Sequence, residues 1–479
     1  MGCSVARAII IYDDAQQFPI VFYICSTQSS MKKILLFGAG LSASTLIKYL
    51  LDRSDAESWH LDVVDQNLEL VNAKLAGHPN ATAHAFNALD STQRRPYIAQ
   101  ADLVISMLPA VYHVEVAKDC IDLQKHLITP SYISAEMRAL DAQAKDAGII
   151  IMNEIGVDPG IDHMSAMRIL DEIKAQDGQL ESFKSYCGGL IAPVSDNNPW
   201  RYKFTWNPRN VVLAGQGGAV KFIQEGKYKY IPPHMVFRRT EFMNVEGYGR
   251  FEGLANRDSL KYREAYGLEN VATLYRGTLR RPGFARAWDS FVKLGMTDDS
   301  YTIEHTDTLS FREFTNLFLA YNPHDSVELK LKYYLGIPQD SDIFTKLQWA
   351  GLFSNQTFPF TSGTPAQCLE YILKQVWTLH EEDRDLIVMF HKIGWKKDGE
   401  LGMIESSMGV EGKNSSQTAM ASTVGLPLGI ATKLILTGEP MVTGVQMPIT
   451  AQWYDPILNE LANDFGVIFH EKEIPYAGY

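Results

Sequence analysis

Lys33-Ile34-Leu35-Leu36-Phe37-Gly38-Ala39-Gly40-Leu41-Ser42-Ala43 is the stretch whose reading decides the fold. Lys33 to Phe37 is apolar and β-prone, Gly38-x-Gly40-x-x-Ala43 follows at once, and a helical pattern continues through Leu51. In such a unit the first glycine permits the tight turn, the second lets backbone approach a pyrophosphate, and the small third residue lets helix and strand pack closely. The string alone is a weak signal, and its setting strengthens it. Leu61 to Val64 reads as the next strand and ends in Asp65, whose carboxylate is positioned to accept hydrogen bonds from an adenosine ribose. The same charge repels a 2′-phosphate, which favours NAD and leaves NADP as the second option. Gly38, Gly40, Leu41 and Ser42 are therefore expected at the cofactor, with Asn87 and Leu108 at its adenine and nicotinamide ends.

Working outward, Ala81 to Phe86 is a weaker strand, and Asp102 to Ser106 is another, closed by Leu108-Pro109. A helix (His113 to Leu123), a strand (His126 to Thr129), a helix (Ala135 to Ala147) and the apolar run Gly148 to Met152 follow. This alternation predicts an α/β fold with a parallel, doubly wound sheet, a Rossmann domain. Asn153-Glu154-Ile155-Gly156-Val157-Asp158-Pro159-Gly160-Ile161-Asp162-His163 comes next. Ligands of open α/β sheets bind beyond the carboxyl ends of the strands. A tight turn that caps the next helix needs one acid, and this loop carries three. Asp158 is the substrate-facing expectation. Glu154 and Asp162 read as structural, and His163 as a core or cap histidine.

At 479 residues the chain is too long for one core. Its 46% hydrophobic and 21% charged content is that of an ordinary globular protein, and a net charge of −12 argues against nucleic-acid or anionic-membrane partners. The five cysteines are scattered without a Cys-x-x-Cys pair, which points to reduced thiols in a cytoplasmic setting and to no metal site. No membrane span is expected, because Thr423 to Leu436 is interrupted by glycine, proline and lysine. Residues 1–30 fit no element of the fold and read as a non-structural extension. Residues from about 180 to 280 are β-rich with glycine loops, including Ser182 to Cys187, Tyr202 to Trp206 and Val271 to Leu279. Helical periodicity dominates to about 380, strands return at Leu386 to His391 and Leu401 to Ser406, and Ser416 to Thr437 reads as a helix with one small-residue face.

Several stretches carry a further signal: Ser131-Tyr132-Ile133-Ser134, Met152 to His163, Ser185-Tyr186-Cys187-Gly188-Gly189-Leu190, Asn256-Arg257-Asp258-Ser259, Arg276-Gly277-Thr278-Leu279-Arg280 and Met420-Ala421-Ser422-Thr423-Val424-Gly425. In these the chain resembles the saccharopine reductase family, the glutamate-forming saccharopine dehydrogenases. The resemblance implies a homodimer with a Rossmann domain, a mixed α/β substrate and dimerisation domain, and a helical insertion. Placed on this sequence, the domains are 31–153 with 440–479, 154–283 with 384–439, and 284–383. The reaction implied is reversible oxidation of saccharopine to L-glutamate and 2-aminoadipate 6-semialdehyde. By the same resemblance Ser131 and Tyr132 stand beside cofactor and substrate, and Asp158 binds substrate. Arg257, Thr278, Leu279 and Arg280 grip its carboxylates, and Asn207 contacts cofactor. NADP-using members carry a basic residue where Asp65 stands, so their preference does not transfer.

The residues suit that chemistry. Saccharopine is a secondary amine with three carboxylates and one primary amine, and arginine meets a carboxylate with a two-pronged fork. Arg257, Arg276 and Arg280 supply such forks in an acidic chain, while Arg281 reads as part of a solvated face. Oxidation removes hydride from the carbon beside nitrogen, and water then attacks the imine, so protons must move. Asp158, Tyr132 and Cys187 are the candidate carriers, although a lone cysteine is more often a small buried hydrophobe. Two rivals are a carboxynorspermidine dehydrogenase and a non-catalytic Rossmann redox sensor. The first would favour acids over arginines, and the second needs no polar substrate wall.

Overall fold

The computed structural model describes residues 6–11, 20–25, 31–214, 216–338, 340–438 and 442–478. Seven parallel strands form the first sheet, in the order Ala81–Ala85, Trp59–Asp65, Lys32–Phe37, Leu103–Ser106, His126–Ile128, Ile150–Met152, Gly444–Gln446. This is the 3-2-1-4-5-6 winding of a Rossmann domain with one strand added. The central strands are buried on both faces, which is why they are continuous runs of Ile, Leu and Val rather than alternating ones. The winding reverses direction between Lys32–Phe37 and Leu103–Ser106, and a crevice for ligand opens at such a point.

A mixed sheet of nine strands forms the second domain. Its centre is Thr273–Arg280 parallel to Gln179–Ile191, which pairs antiparallel with Asp385–Lys397, itself one arm of a long hairpin with Glu400–Glu411. Residues 284–383 cover this sheet with helices Phe284–Leu294, Phe311–Leu317, Val327–Leu335, Asp342–Trp349 and Pro365–Trp377 around an aromatic core that includes Trp200, Trp288 and Trp377. The helix Ala419–Leu436 is apolar and long enough to span a membrane by length and composition alone, but 67% of it is buried here. Gly425 and Gly429 let it lie against Ser44–Glu57. A Cβ on Gly425 would sit 2.7 Å from Leu46 N, and one on Gly429 would sit 2.4 Å from the Tyr49 ring.

Four elements depart from the expectations. Residues 440–479 divide between the sheets: Gly444–Gln446 extends the parallel one, whereas His470–Pro475 pairs with Glu400–Glu411 in the mixed one. Residues 6–11 and 20–25 are strands rather than structureless chain, paired antiparallel with each other and with neither large sheet; residues 1–5, 12–19 and 26–30 lie outside the described residues. Tyr202 to Trp206 is not a strand. Its aromatic side chains are mostly buried, but Phe204 N donates to the Trp377 carbonyl at 2.8 Å and the Asn198 amide donates to the Tyr202 carbonyl at 3.1 Å, so no ladder forms. Ala135 to Ala147 is two short helices, Ala135–Arg138 and Asp141–Asp146.

Candidate active site

The glycine turn has the form a dinucleotide requires. Gly38 has φ 96°, and a Cβ there would sit 3.1 Å from the Met107 carbonyl on the neighbouring strand end. A Cβ on Gly40 would meet nothing within 4 Å, so the backbone there faces open space. Leu41 is 69% exposed, and the helix Ser44–Glu57 begins behind it without a side-chain cap. Unsatisfied N–H groups of this kind suit a phosphate. Asp65 braces the turn: Oδ2 accepts from Ala39 N at 2.9 Å and Oδ1 from Asn67 N at 3.0 Å. Each carboxylate oxygen keeps a second lone pair for a ribose hydroxyl. The residues fit the cofactor that the fold implies.

Asn87 accepts from Leu89 N at 3.1 Å in an exposed turn, and Leu108 is half-buried beyond the strand Leu103–Ser106. Asn207 is exposed and caps the short helix Pro208–Val212 by accepting from Arg209 N at 3.0 Å. Among the described residues no hydrogen bond joins it to the glycine turn.

The acidic loop is folded by its own backbone. Gly156 N donates to the Pro159 carbonyl and Ile161 N to the Gly156 carbonyl, both at 2.9 Å. Gly160, at φ 147°, has no room for a Cβ, which would lie 2.1 Å from Gly156 O. Among residues 153–163 Asp158 is the least buried: its side chain is 16% exposed, against 2% for Asp162 and 0% for Glu154. Glu154 accepts from Ile133 N at 2.9 Å and Tyr262 OH at 2.8 Å and meets His163 Nε2 at 2.9 Å. Burial alone would push its carboxyl up, but these bonds outweigh it and bring the group down to about 2. His163 completes this buried network through Tyr266.

Arg276 sits between two acids. Its Nη2 donates to Asp158 Oδ1 at 2.8 Å and is also paired with Asp162 Oδ2, and its guanidinium stacks 4.4 Å from the Tyr262 ring. Arg276 is therefore not a free substrate fork, which corrects that expectation. Its charge is consumed within the loop. Tyr132 OH donates to the same Asp158 oxygen at 3.0 Å, so Oδ1 is saturated and Oδ2 is left for a ligand. Burial raises Asp158 above the usual carboxylate range, Asp162 raises it further, and Arg276 and Tyr132 pull it back. Burial and Asp158 push the Tyr132 phenol well above its usual value, so it acts as a neutral donor.

The strand Thr273–Arg280 carries the rest of the wall. Residues two apart share a face, so Arg276, Thr278 and Arg280 line up, with Thr278 beside Cys187 across the parallel pair. Arg280 is only 8% exposed. Its Nη1 donates to the Leu279 carbonyl at 2.8 Å, its Nε is without a partner, and the rings of Tyr202 and Phe284 lie 5.0 and 5.4 Å from the guanidinium. A buried fork with an orphaned donor is poised for an incoming carboxylate. Leu279 has its side chain in the core and offers only backbone. Arg257 is exposed, with φ 49°, and lies 5.6 Å from the Tyr132 ring at the mouth of the site. Arg281 is buried rather than solvated; its Nη1 donates to the Tyr248 carbonyl at 3.0 Å. Burial pushes the Cys187 thiol well up, and Asp158 and Asp162 add to this, so it is a neutral thiol and not a base.

Sequence reading missed His113. At the end of the strand Leu103–Ser106 its Nδ1 meets Ser106 Oγ at 2.9 Å, and its Nε2 meets Ser131 Oγ at 2.8 Å and Thr129 Oγ1 at 2.9 Å. Burial lowers it to about 4, so it is neutral and fixes the Ser131 hydroxyl beside Tyr132. Tyr262 and Tyr266 were missed as well. Among the described residues no cluster of His, Cys, Asp and Glu could hold a metal.

A Rossmann crevice facing an acid, a phenol and buried arginines defines an oxidoreductase that uses a nicotinamide dinucleotide and acts on a polar, carboxylate-bearing substrate. Comparison with known proteins agrees. The family description "Saccharopine dehydrogenase NADP binding domain" matches residues 34–152, and "Saccharopine dehydrogenase C-terminal domain" matches residues 156–467. The chain belongs to the saccharopine dehydrogenase family. It is 32% identical over 453 residues to saccharopine dehydrogenase [NADP(+), L-glutamate-forming] of Pyricularia oryzae, covering 92% of this chain and 99% of that one. It is 32% identical over 459 residues to the mitochondrial alpha-aminoadipic semialdehyde synthase of Rattus norvegicus, covering 93% of this chain and 48% of the relative. The solved apo saccharopine dehydrogenase (L-Glu forming) of Saccharomyces cerevisiae superposes with TM-score 0.83 at 30% identity, over 92% of this chain and 100% of that one.

Proposed function

We propose that this protein oxidises saccharopine to L-glutamate and 2-aminoadipate 6-semialdehyde, and that Asp158 and Arg280 are the two poles of its substrate site. The observation that carries this reading is the Arg276–Thr278–Arg280 face. At roughly 3.3 Å per residue, positions 276 and 280 stand about 13 Å apart along the strand. Asp158 is held at one end by Arg276, and an unpaired fork lies at the other. A long amine with carboxylates toward its ends suits that spacing. A polyamine precursor with one carboxylate would leave Arg280 or Arg257 without a partner, which disfavours the carboxynorspermidine reading.

The cofactor, when bound, supplies the hydride acceptor. The chain's own residues do the rest. Asp158 Oδ2 accepts a hydrogen bond from the substrate's amine, and its raised basicity suits it to take the proton that must leave before oxidation. Tyr132 donates to Oδ1 and keeps the carboxylate turned toward the amine. Arg280 and Arg257 hold substrate carboxylates, with Thr278 between Arg276 and Arg280 on the same face. His113 sets the Ser131 hydroxyl at the crevice. Water then adds to the imine carbon and gives up a proton to solvent. As the resulting carbinolamine collapses, the Asp158 carboxyl returns its proton to the nitrogen, the C–N bond breaks, glutamate leaves as the amine and the hydroxyl becomes the aldehyde.

NAD is the preferred cofactor in this reading, because Asp65 stands where a 2′-phosphate would come closest. The relatives' names print NADP(+), so the preference rests on Asp65 alone. Steady-state kinetics with saccharopine and either cofactor tests it: a higher kcat/KM with NAD is expected, and a clear NADP preference refutes it. The homodimer is tested by sedimentation velocity, where a monomer at micromolar concentration refutes it.

A further inference from the structure

Lys74 lies in the last turn of the helix Leu68–Leu75, which follows the strand ending in Asp65. Its ammonium does not extend into solvent. Nζ donates to the Gly40 carbonyl at 2.6 Å and to Ser44 Oγ at 2.9 Å, reaching the second glycine of the cofactor turn and the first residue of the helix behind it. An ammonium has three donors, and one is left over. Burial draws this lysine down to about 8, and the Asp65 carboxylate pushes it partway back up. A half-buried lysine without a carboxylate in contact is costly to keep, and such groups gather at ligand sites.

We infer that Lys74 is the specificity residue through which this chain accepts the 2′-phosphate of NADP, opposite Asp65, which holds the unphosphorylated ribose of NAD. The inference rests on the dinucleotide reading of the turn Gly38 to Ala43. Asp65 and Lys74 approach that turn from two directions: the acid holds Ala39 N and the base holds Gly40 O. A 2′-phosphate on a ribose held at Asp65 is repelled by that carboxylate and attracted by the Lys74 ammonium across the same glycine turn, so the two charges oppose each other. The spare N–H gives the phosphate a charge-assisted hydrogen bond without breaking the two that Lys74 already makes. Occupied by NAD, the same site leaves Lys74 parked on Gly40 and Ser44 while Asp65 takes the ribose hydroxyls. A chain with Asp65 can thus use either cofactor, and the preference becomes a matter of degree. The other role open to Lys74 is purely architectural, a tie between two helices that has nothing to do with the cofactor.

Binding without turnover separates the two roles. The full-length protein is titrated calorimetrically with NAD, NADP, 5′-AMP and 2′,5′-ADP, as wild type and as Lys74→Met, Lys74→Gln and Lys74→Arg. Loss of a hydrogen bond to a charged group predicts that Lys74→Met weakens NADP and 2′,5′-ADP by about ten- to hundredfold. NAD and 5′-AMP should change less than about threefold, and Lys74→Arg should restore most of the NADP affinity. Lys74→Gln keeps a donor for Gly40 without the charge and gives the same result if Lys74→Met does not fold. Equal weakening of all four ligands, or no change in any, overturns the inference and leaves the helix tie. Wild type that binds neither NAD nor NADP overturns it in a different way, because the dinucleotide reading then fails as well.

Discussion

Replacing Arg280 with methionine should abolish most activity while leaving the fold intact. Most buried arginines behave in the opposite way. Arg280 makes one hydrogen bond, to the Leu279 carbonyl, and leaves Nε orphaned. Glu252 stands opposite it in the sheet but directs its carboxylate to Ala285 N at 2.6 Å. Two charge-assisted hydrogen bonds to a substrate carboxylate, at about 1.5–3 kcal/mol each less the cost of desolvating that carboxylate, leave a net of roughly 2–4 kcal/mol. That corresponds to a loss of about 30- to 1000-fold in kcat/KM for Arg280→Met, read from the near-ultraviolet absorbance of reduced nicotinamide. Methionine of similar bulk takes away a charge that lowers the buried Glu252 carboxyl, but the backbone N–H groups of residues 283–285 still hold that carboxylate, so stability by denaturant unfolding should fall by no more than about 1 kcal/mol. Arg276→Met is the contrast. It leaves Asp158 and Asp162 buried without their cation and should cost roughly 3–5 kcal/mol of stability. Unchanged kcat/KM in Arg280→Met, or destabilisation matching that of Arg276→Met, would refute the assignment of Arg280 to substrate.

Tyr132→Phe removes the hydrogen bond that pulls Asp158 down, so the acidic limb of the kcat/KM profile should move to higher pH; a limb that stays put or moves down removes Asp158 as the titrating base. Glu154 is held low, at about 2 when folded, so it contributes stability above about pH 4.5 that is lost as pH falls toward 2, roughly 3 kcal/mol in all. Glu154→Gln should flatten that acid-side slope in urea unfolding, and an unaltered slope would place the acid sensitivity elsewhere. Deleting residues 1–30 should leave Tm and activity unchanged, because the pair 6–11 and 20–25 joins neither large sheet; a Tm drop of several degrees would show that it packs.

The parallel sheet was legible because its signals are local: an apolar run, a glycine turn and a helix, repeated. The acidic loop was legible as a tight, acid-rich turn between strand and helix for the same reason. What escaped was decided by distant partners. Arg276 reads as a substrate fork until Asp158 and Asp162 reach it from 118 and 114 residues away in sequence. Arg281 has the composition of a surface residue, yet its neighbours in the mixed sheet bury it. His113 carries no local mark, since its role exists only where the ends of two adjacent strands bring Ser106 and Ser131 to its two ring nitrogens. The polar segment His470–Pro475 has no pattern that tells which sheet it will join.

Saccharopine oxidation is decided by giving the purified protein saccharopine with NAD, and separately with NADP, and following reduced nicotinamide and free L-glutamate together. Both should appear in equal amounts, faster with NAD. Reduction without glutamate, or no reduction with either cofactor, would contradict the assignment.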